Sequence, residues 1–221
     1  MALRALIFDM DGVLFDTERL AAETWVEAGL SLGHALPEAL IKGAIGLDHG
    51  LSRAYYQRAF AGQFPYEQVE QRRNELFRAH IRTRGVPVKP GVQRILKEAG
   101  RLGLGVALGT SSRAVYAHAM LWLAGIDGHF QVIVTRELVQ AAKPAPDTYR
   151  KAAALLGVDP GECLVFEDSG HGIRAAQAAG MPVIMVPDLI EASPDLRARC
   201  LEVCSSLGEA AERLERLMVA E

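Results

Sequence analysis

Cysteine is nearly absent from the chain, with three in 221 residues. So sparse and odd a set cannot build a disulfide framework, and Cys200 and Cys204 have no nearby His or further Cys to complete a zinc site. Reduced thiols and a cytoplasmic location are the expectation, since disulfides belong to oxidising compartments. Lysine is also scarce, at five residues, and the formal net charge is −3. Nucleic acids and anionic membranes call for a basic surface, so neither is expected as a partner. Long apolar runs are missing too: no stretch approaches the ~18 uncharged apolar residues of a membrane span. The acids begin at Asp9, leaving no room for the apolar core of a signal peptide. What is present is an ordinary globular composition, 50% hydrophobic and 23% charged, with chain enough to bury a core.

From residue 88 onward, short apolar runs alternate with helical segments. Helices are predicted at 91–103, at 113–124, from Pro144 through "DTYRKAAALLG", at 172–180 and at about 207–219. Strands are predicted at 104–110, 131–135, 162–168 and 182–187, with an irregular stretch after 187. "RALIFDMDGVLFDTE" (4–18) supplies a further strand, from about Leu3 to Asp9. Such alternation predicts an α/β protein with a doubly wound parallel sheet. Residues 17–88 interrupt the rhythm with roughly seventy residues of helical composition, where a strand-to-helix loop normally takes ~2–6. The expected organisation is a core of residues 1–16 and 89–221 carrying an inserted all-helical domain, 17–88. The two connections, Phe15–Thr17 and "GVPVKPG" (85–91), would form a hinge.

The first strand ends in acids: Asp9, Asp11, Asp16 and Glu18. Like charges packed this closely are costly unless a cation, a proton or hydrogen bonds neutralise them. Three other polar sets reach the same carboxyl edge of the sheet, where open α/β folds bind ligands. They are Thr110–Ser112 after strand 104–109, Lys143 before a proline-started helix, and Glu167–Asp168 at the end of strand 162–166. Asp9 and Asp11, two apart in extended chain, point the same way. With Asp168 they offer oxygen ligands only, which suits Mg²⁺. A cation there would let carboxylates approach an anionic phosphate. Thr110, Ser111, Lys143 and the positive helix end expected at Pro144 would hold the phosphoryl oxygens.

"DMDGVLFDTE", "LGTSS", "KPAPD" and "FEDSGHG" resemble, in order, the four motifs of the haloacid dehalogenase superfamily. The resemblance is to its helical-cap phosphatases and phosphosugar mutases, and it covers residues 4 to about 188. It implies a Rossmann-like core and a cap inserted after the first motif. It also implies Asp9 as nucleophile, forming an aspartyl-phosphate, and Asp11 as general acid and base that also gives a backbone carbonyl to Mg²⁺. Thr110 and Lys143 would bind phosphate, and Asp168 would be the principal metal acid. Glu167 would partner the metal directly or at one remove, with a purely structural acceptor role as the alternative. Gly12 would allow the tight turn after the acids.

Asp11 argues against a dehalogenase or a phosphonate hydrolase, which in the family lack that carboxylate. The nearer alternative is a sugar-phosphate mutase, but Ala21 stands where the mutases carry a histidine. A phosphoaccepting signalling domain is a remote alternative, since receivers have no such insert. Substrate choice is expected in the cap segment "GLDHGLSR" (46–53), with His49 and Arg53 as candidates or as solvated surface residues. Arginines 72, 73, 78, 82 and 84 read as a solvated face paired with Glu70 and Glu75. The expected partner is a small-molecule phosphate ester, and the protein itself a monomer or homodimer.

Overall fold

β1 (Ala5–Phe8) is buried along its whole length, as a strand must be when both faces of a parallel sheet are covered. The computed structural model describes residues 3–45, 47, 49–189 and 191–219. Among them, β1 lies at the middle of a six-stranded sheet with β2 (Gly105–Gly109), β3 (Val132–Val134), β4 (Cys163–Glu167), β5 (Val183–Met185) and β6 (Glu202–Val203). The order is β3-β2-β1-β4-β5-β6, and every pair is parallel. Register aligns Phe8 with Leu108 on one side and with Phe166 on the other. The residues that follow β1, β2 and β4 therefore emerge together at one edge.

Alternation divides the sheet's two faces. Ala5, Ile7, Ala107, Cys163 and Val165 share a core with Ala152, Ala153, Ala175 and Ala176. Those alanines lie on α7 (Asp147–Leu156) and α8 (Gly170–Ala178); their small side chains let helix backbones lie close to the strands. Leu6, Phe8, Leu164 and Phe166 alternate with them and are fully buried, with Phe8 stacked on Phe166 at 4.8 Å. α5 (Val92–Arg101) buries Val92, Ile95, Leu96 and Ala99, the i, i+3, i+4, i+7 stripe of an amphipathic helix. α6 (Ala114–Leu123), α9 (Pro194–Arg199) and α10 (Leu207–Val219) complete the set.

The chain divides into two compact units, Met1–Asp16 with Val86–Glu221, and Thr17–Gly85. Val86–Val88, grouped with the insert from sequence, belong to the first unit. The reason is backbone pairing: Phe15 bridges Val88, Asp16 N donates to Pro87 O (2.8 Å), and Lys89 N donates to Leu14 O (2.9 Å). The second unit holds α1 (Thr17–Ser31), α2 (Glu38–Ala44), α3 (His49–Ala59) and α4 (Tyr66–Arg84). Its core gathers Ala28, Leu36, Ile41, Tyr56, Phe64, Tyr66 and Val69. Trp25 stacks on Tyr56 at 5.1 Å and Tyr56 on Phe64 at 5.2 Å, contacts worth about 1 kcal/mol each beyond their burial.

Three sequence expectations need correction. The helix expected from Pro144 starts at Asp147, with Pro146 as its cap. A second proline explains this, because the residue before a proline is steered out of the α region, which keeps Ala145 from joining a helix. No helix end therefore abuts Lys143. The stretch after 187 is not irregular throughout: it contains α9, started by Ser193 Oγ accepting from Leu196 N (3.3 Å), and the edge strand β6. Finally, α8 begins at Gly170 rather than residue 172, because Ser169 caps it by accepting from Gly172 N at 3.0 Å.

Candidate active site

Asp9 leaves β1 with its N–H still bonded to Phe166 O (3.0 Å), which fixes its carboxylate beside β4's end. Lys143 Nζ reaches three acceptors: Asp9 Oδ1 at 2.5 Å, Glu167 Oε1 at 2.8 Å and Gly109 O at 2.9 Å. Three N–H donors thus meet three oxygens, on a side chain only 5% exposed. Glu167 is the most enclosed acid of the site, fully buried. Its Oε1 also accepts from Tyr149 Oη at 2.6 Å. Its Oε2 accepts from Asp168 N and Ser169 N, each at 3.1 Å, and from Ser169 Oγ at 3.0 Å. A carboxylate gathering so many donors is held ionised and fixed in orientation.

Asp9, Glu167 and Asp168 each offer a carboxylate oxygen within 4.8 Å of the others. One ammonium, Lys143, faces these three acids, and the titration behaviour follows. Burial pushes Asp9 up to about 7, against the pull of Lys143 and with the charges of Glu167 and Asp11 adding to the rise. Burial, then Glu167, Asp9 and Asp188, raises Asp168 well above the usual carboxylate range. Burial also works to raise Glu167, but Lys143, Tyr149 and the Ser169 N–H outweigh it and hold this carboxyl low. Lys143 is desolvated as well, yet its two carboxylate partners raise it further above its ordinary value. With all three acids ionised, the cluster would carry more negative charge than Lys143 neutralises. An all-oxygen donor set of that kind fits a hard divalent cation.

The remaining predicted residues fall around this centre. Asp11 Oδ2 accepts from Ser112 Oγ at 2.9 Å. Thr110 is buried, and its Oγ1 accepts from Ser112 N at 3.0 Å. Ser111 is exposed; the hydroxyl that orients the second acid belongs to its neighbour. Gly12 has φ +84°, and a Cβ there would lie 2.2 Å from Asp168 Oδ2. Both facts require glycine, one for the turn and one for the approach of the acid.

His49 and Arg53 lie in the helical unit, each joined to an acid of α4: His49 Nε2 to Glu70 Oε2 at 3.1 Å, Arg53 Nε to Glu67 Oε1 at 2.8 Å. Gly46 and Asp48 of the segment 46–53 lie outside the described residues. On α4, Arg72 pairs with Glu75 at 3.2 Å, while Arg73 lies over the Phe77 ring at 5.0 Å.

Sequence reasoning did not assign Ser112, Tyr149, Ser169 or Asp188. A signal existed for Ser169, since Ser before a helix is a favoured cap. The same environment makes Gly172 sensitive: a Cβ there would lie 1.6 Å from Glu167 Oε1. Gly172→Ala is expected to cost about 2–3 kcal/mol, an overpacking penalty, measured as a lowered Tm in thermal unfolding.

Comparison with known proteins agrees with this architecture. Residues 3–180 match the family described as haloacid dehalogenase-like hydrolase. Fructose-1-phosphate phosphatase YqaB of Escherichia coli is 34% identical over 185 residues, covering 82% of this chain and 95% of YqaB. A HAD family hydrolase from Deinococcus radiodurans, solved with bound phosphate and sodium, superposes with a TM-score of 0.84 at 26% identity, covering 100% of this chain and 99% of the other. A CbbY variant from Rhodobacter sphaeroides, in complex with xylulose-(1,5)bisphosphate, superposes with a TM-score of 0.73 at 26% identity, covering 94% and 96%. The parallel α/β core and the family match make the protein a hydrolase. The chain belongs to the haloacid dehalogenase-like hydrolase family.

Proposed function

We propose that the protein is a Mg²⁺-dependent phosphomonoesterase that hydrolyses a small phosphorylated metabolite through an aspartyl-phosphate on Asp9. The observation that carries this reading is the Asp9–Lys143–Glu167 arrangement beside Asp168. A carboxylate acts as nucleophile only if it is fixed, and one buried lysine holds it. Phosphate esters are further favoured by the relatives, YqaB by its name and CbbY by its bound bisphosphate.

The chemistry divides into two displacements. Asp9 forms a bond to phosphorus as the bond to the leaving oxygen breaks, and Asp11 gives that oxygen its proton. Ser112 holds Asp11 by Oδ2. Asp11 then takes a proton from water as the water oxygen bonds to phosphorus and the Asp9–phosphorus bond breaks, releasing inorganic phosphate. Charge leaves Asp9 Oδ1 during the first displacement, so Lys143, bonded to that oxygen, can turn its positive charge toward the phosphoryl oxygens. Thr110 lies at the same rim to receive one of them. Asp9 and Asp168, with Glu167 beside them and the Asp11 carbonyl, would hold Mg²⁺. Bound there, the ion would neutralise charge shared between carboxylates and phosphate. His49 and Arg53 stand as candidate substrate contacts of the cap.

A panel of phosphate esters, with sugar phosphates included and hexose monophosphates assayed for isomers, tests the reading. Phosphate release with Mg²⁺ and none in chelator is the expected result; isomer formation without release would make the protein a mutase. The acids also predict a pH dependence. Asp9 holds its proton up to about 7, so a cation must displace that proton below this pH. Asp168 is raised as well, so Mg²⁺ affinity is expected to fall by at least about tenfold per pH unit on acidifying below 7, and titration calorimetry at pH 6 and pH 8 measures it.

A further inference from the structure

A second buried ion pair lies at the same rim. Lys89 Nζ bonds Asp188 Oδ1 at 2.7 Å, with the side chains 15% and 3% exposed. Asp188 follows β5, whose end runs beside the acid pair, since Val186 N donates to Glu167 O at 2.8 Å. Lys89 lies in the segment paired with Leu14, just beyond the acidic turn. The ion pair thus spans from the loop after Asp11 to the strand neighbouring Asp168. One oxygen of this carboxylate is unaccounted for. Asp188 Oδ2 is buried and has no hydrogen-bond partner among the described residues. A buried carboxylate oxygen without a donor is costly, and native proteins avoid it unless water or an ion answers it.

We propose that Asp188 is a positioning residue of the metal site, its Oδ2 accepting a hydrogen bond from a water carried by the cation that Asp9 and Asp168 hold. This rests on the metal reading given above. Mg²⁺ keeps several of its waters in protein sites, and each such water presents two donors that need acceptors. Asp188 supplies one through Oδ2, while Lys89 occupies its other oxygen, Oδ1. The charge of Asp188 already bears on Asp168, consistent with its place at the rim. Acceptors of this outer kind commonly govern metal affinity by 10–100-fold.

The test is titration calorimetry with Mg²⁺ alone on wild type, Asp188→Asn, Lys89→Gln and Asp168→Asn, with Tm recorded in chelator. Asparagine keeps the shape of Asp188 and can keep its bond to Lys89, but it removes negative charge and sets a donor toward the water. Asp188→Asn is expected to bind Mg²⁺ about tenfold more weakly. Lys89→Gln leaves the acceptor and removes a competing positive charge, so it is expected to bind at least as tightly as wild type. General damage to the rim would weaken both. Wild-type affinity in Asp188→Asn, or equal weakening in the two variants, overturns the assignment while leaving the metal reading standing. If Asp188→Asn does not fold, weakened binding in Lys89→Gln overturns it. Failure of the wild type to bind Mg²⁺, or unchanged binding by Asp168→Asn, overturns the metal reading and this inference with it.

Discussion

Asp9→Asn will lose turnover by about 10³-fold or more while remaining folded, because the substitution removes the attacking oxygen's charge and little else. Retention of more than about a hundredth of the wild-type rate would remove Asp9 from the nucleophile's role. Stability should move the other way. The folded-state value of Asp9, about 7, lies above its ordinary 3.8. An acid raised in this sense contributes stability at low pH and loses it as pH climbs through that interval. Asparagine never ionises and has nothing to lose there. In chelator at pH 8 the variant is therefore expected to melt several degrees above wild type, and near pH 4 the advantage should vanish. Paired kcat and Tm measurements check both halves. The outcome would be a site that sacrifices stability for reactivity.

Lys143→Ala should be damaging on both counts. Lys143 is the shared cation of Asp9 and Glu167, all three sequestered from solvent. Deleting one member of a buried pair strands the others, at about 3–5 kcal/mol. For a chain of this size that is a fall in Tm of roughly 10 °C. Catalysis should suffer too, since Asp9 loses its fixed orientation and the phosphoryl oxygens lose a counter-charge. A fall in kcat/KM of about 10²-fold or more is expected. Unchanged kcat/KM would remove Lys143 from the phosphate site, and an unchanged Tm would show that Asp9 and Glu167 find other partners. Tyr149, whose ring centroid lies 4.7 Å from Nζ, cannot replace a charge.

The core could be read from the sequence because its strands are buried on both faces. "ALIF", "GVALG" and "CLVFE" stand out as short apolar runs bounded by turn residues, and the polar groups after them follow from direction alone. β6 offered no such signal: two residues, half-buried, at the sheet's edge. Pro144 misled because it is a good helix-start residue taken singly, and Pro146 changes its meaning. Ser112, Tyr149 and Asp188 escaped for another reason. Their partners, Asp11, Glu167 and Lys89, lie 101, 18 and 99 positions away, and no local pattern encodes such pairings. Three consecutive polar residues after β2 show that a hydroxyl will reach the rim, not which one. The sheet-edge pattern pointed to Thr110 and Ser111 and the family likeness to Thr110, while packing turned Ser112 toward Asp11.

The backbone pairing of Leu14–Asp16 with Pro87–Lys89 has a consequence for how such a chain can change. It brings the departing and returning segments side by side, so whatever is spliced between them closes a loop whose ends already meet. Each doubling of that loop's length adds only about 0.6 kcal/mol of closure entropy. The junction acts as a socket: helices there can be exchanged, lengthened or pruned at small thermodynamic cost to the sheet.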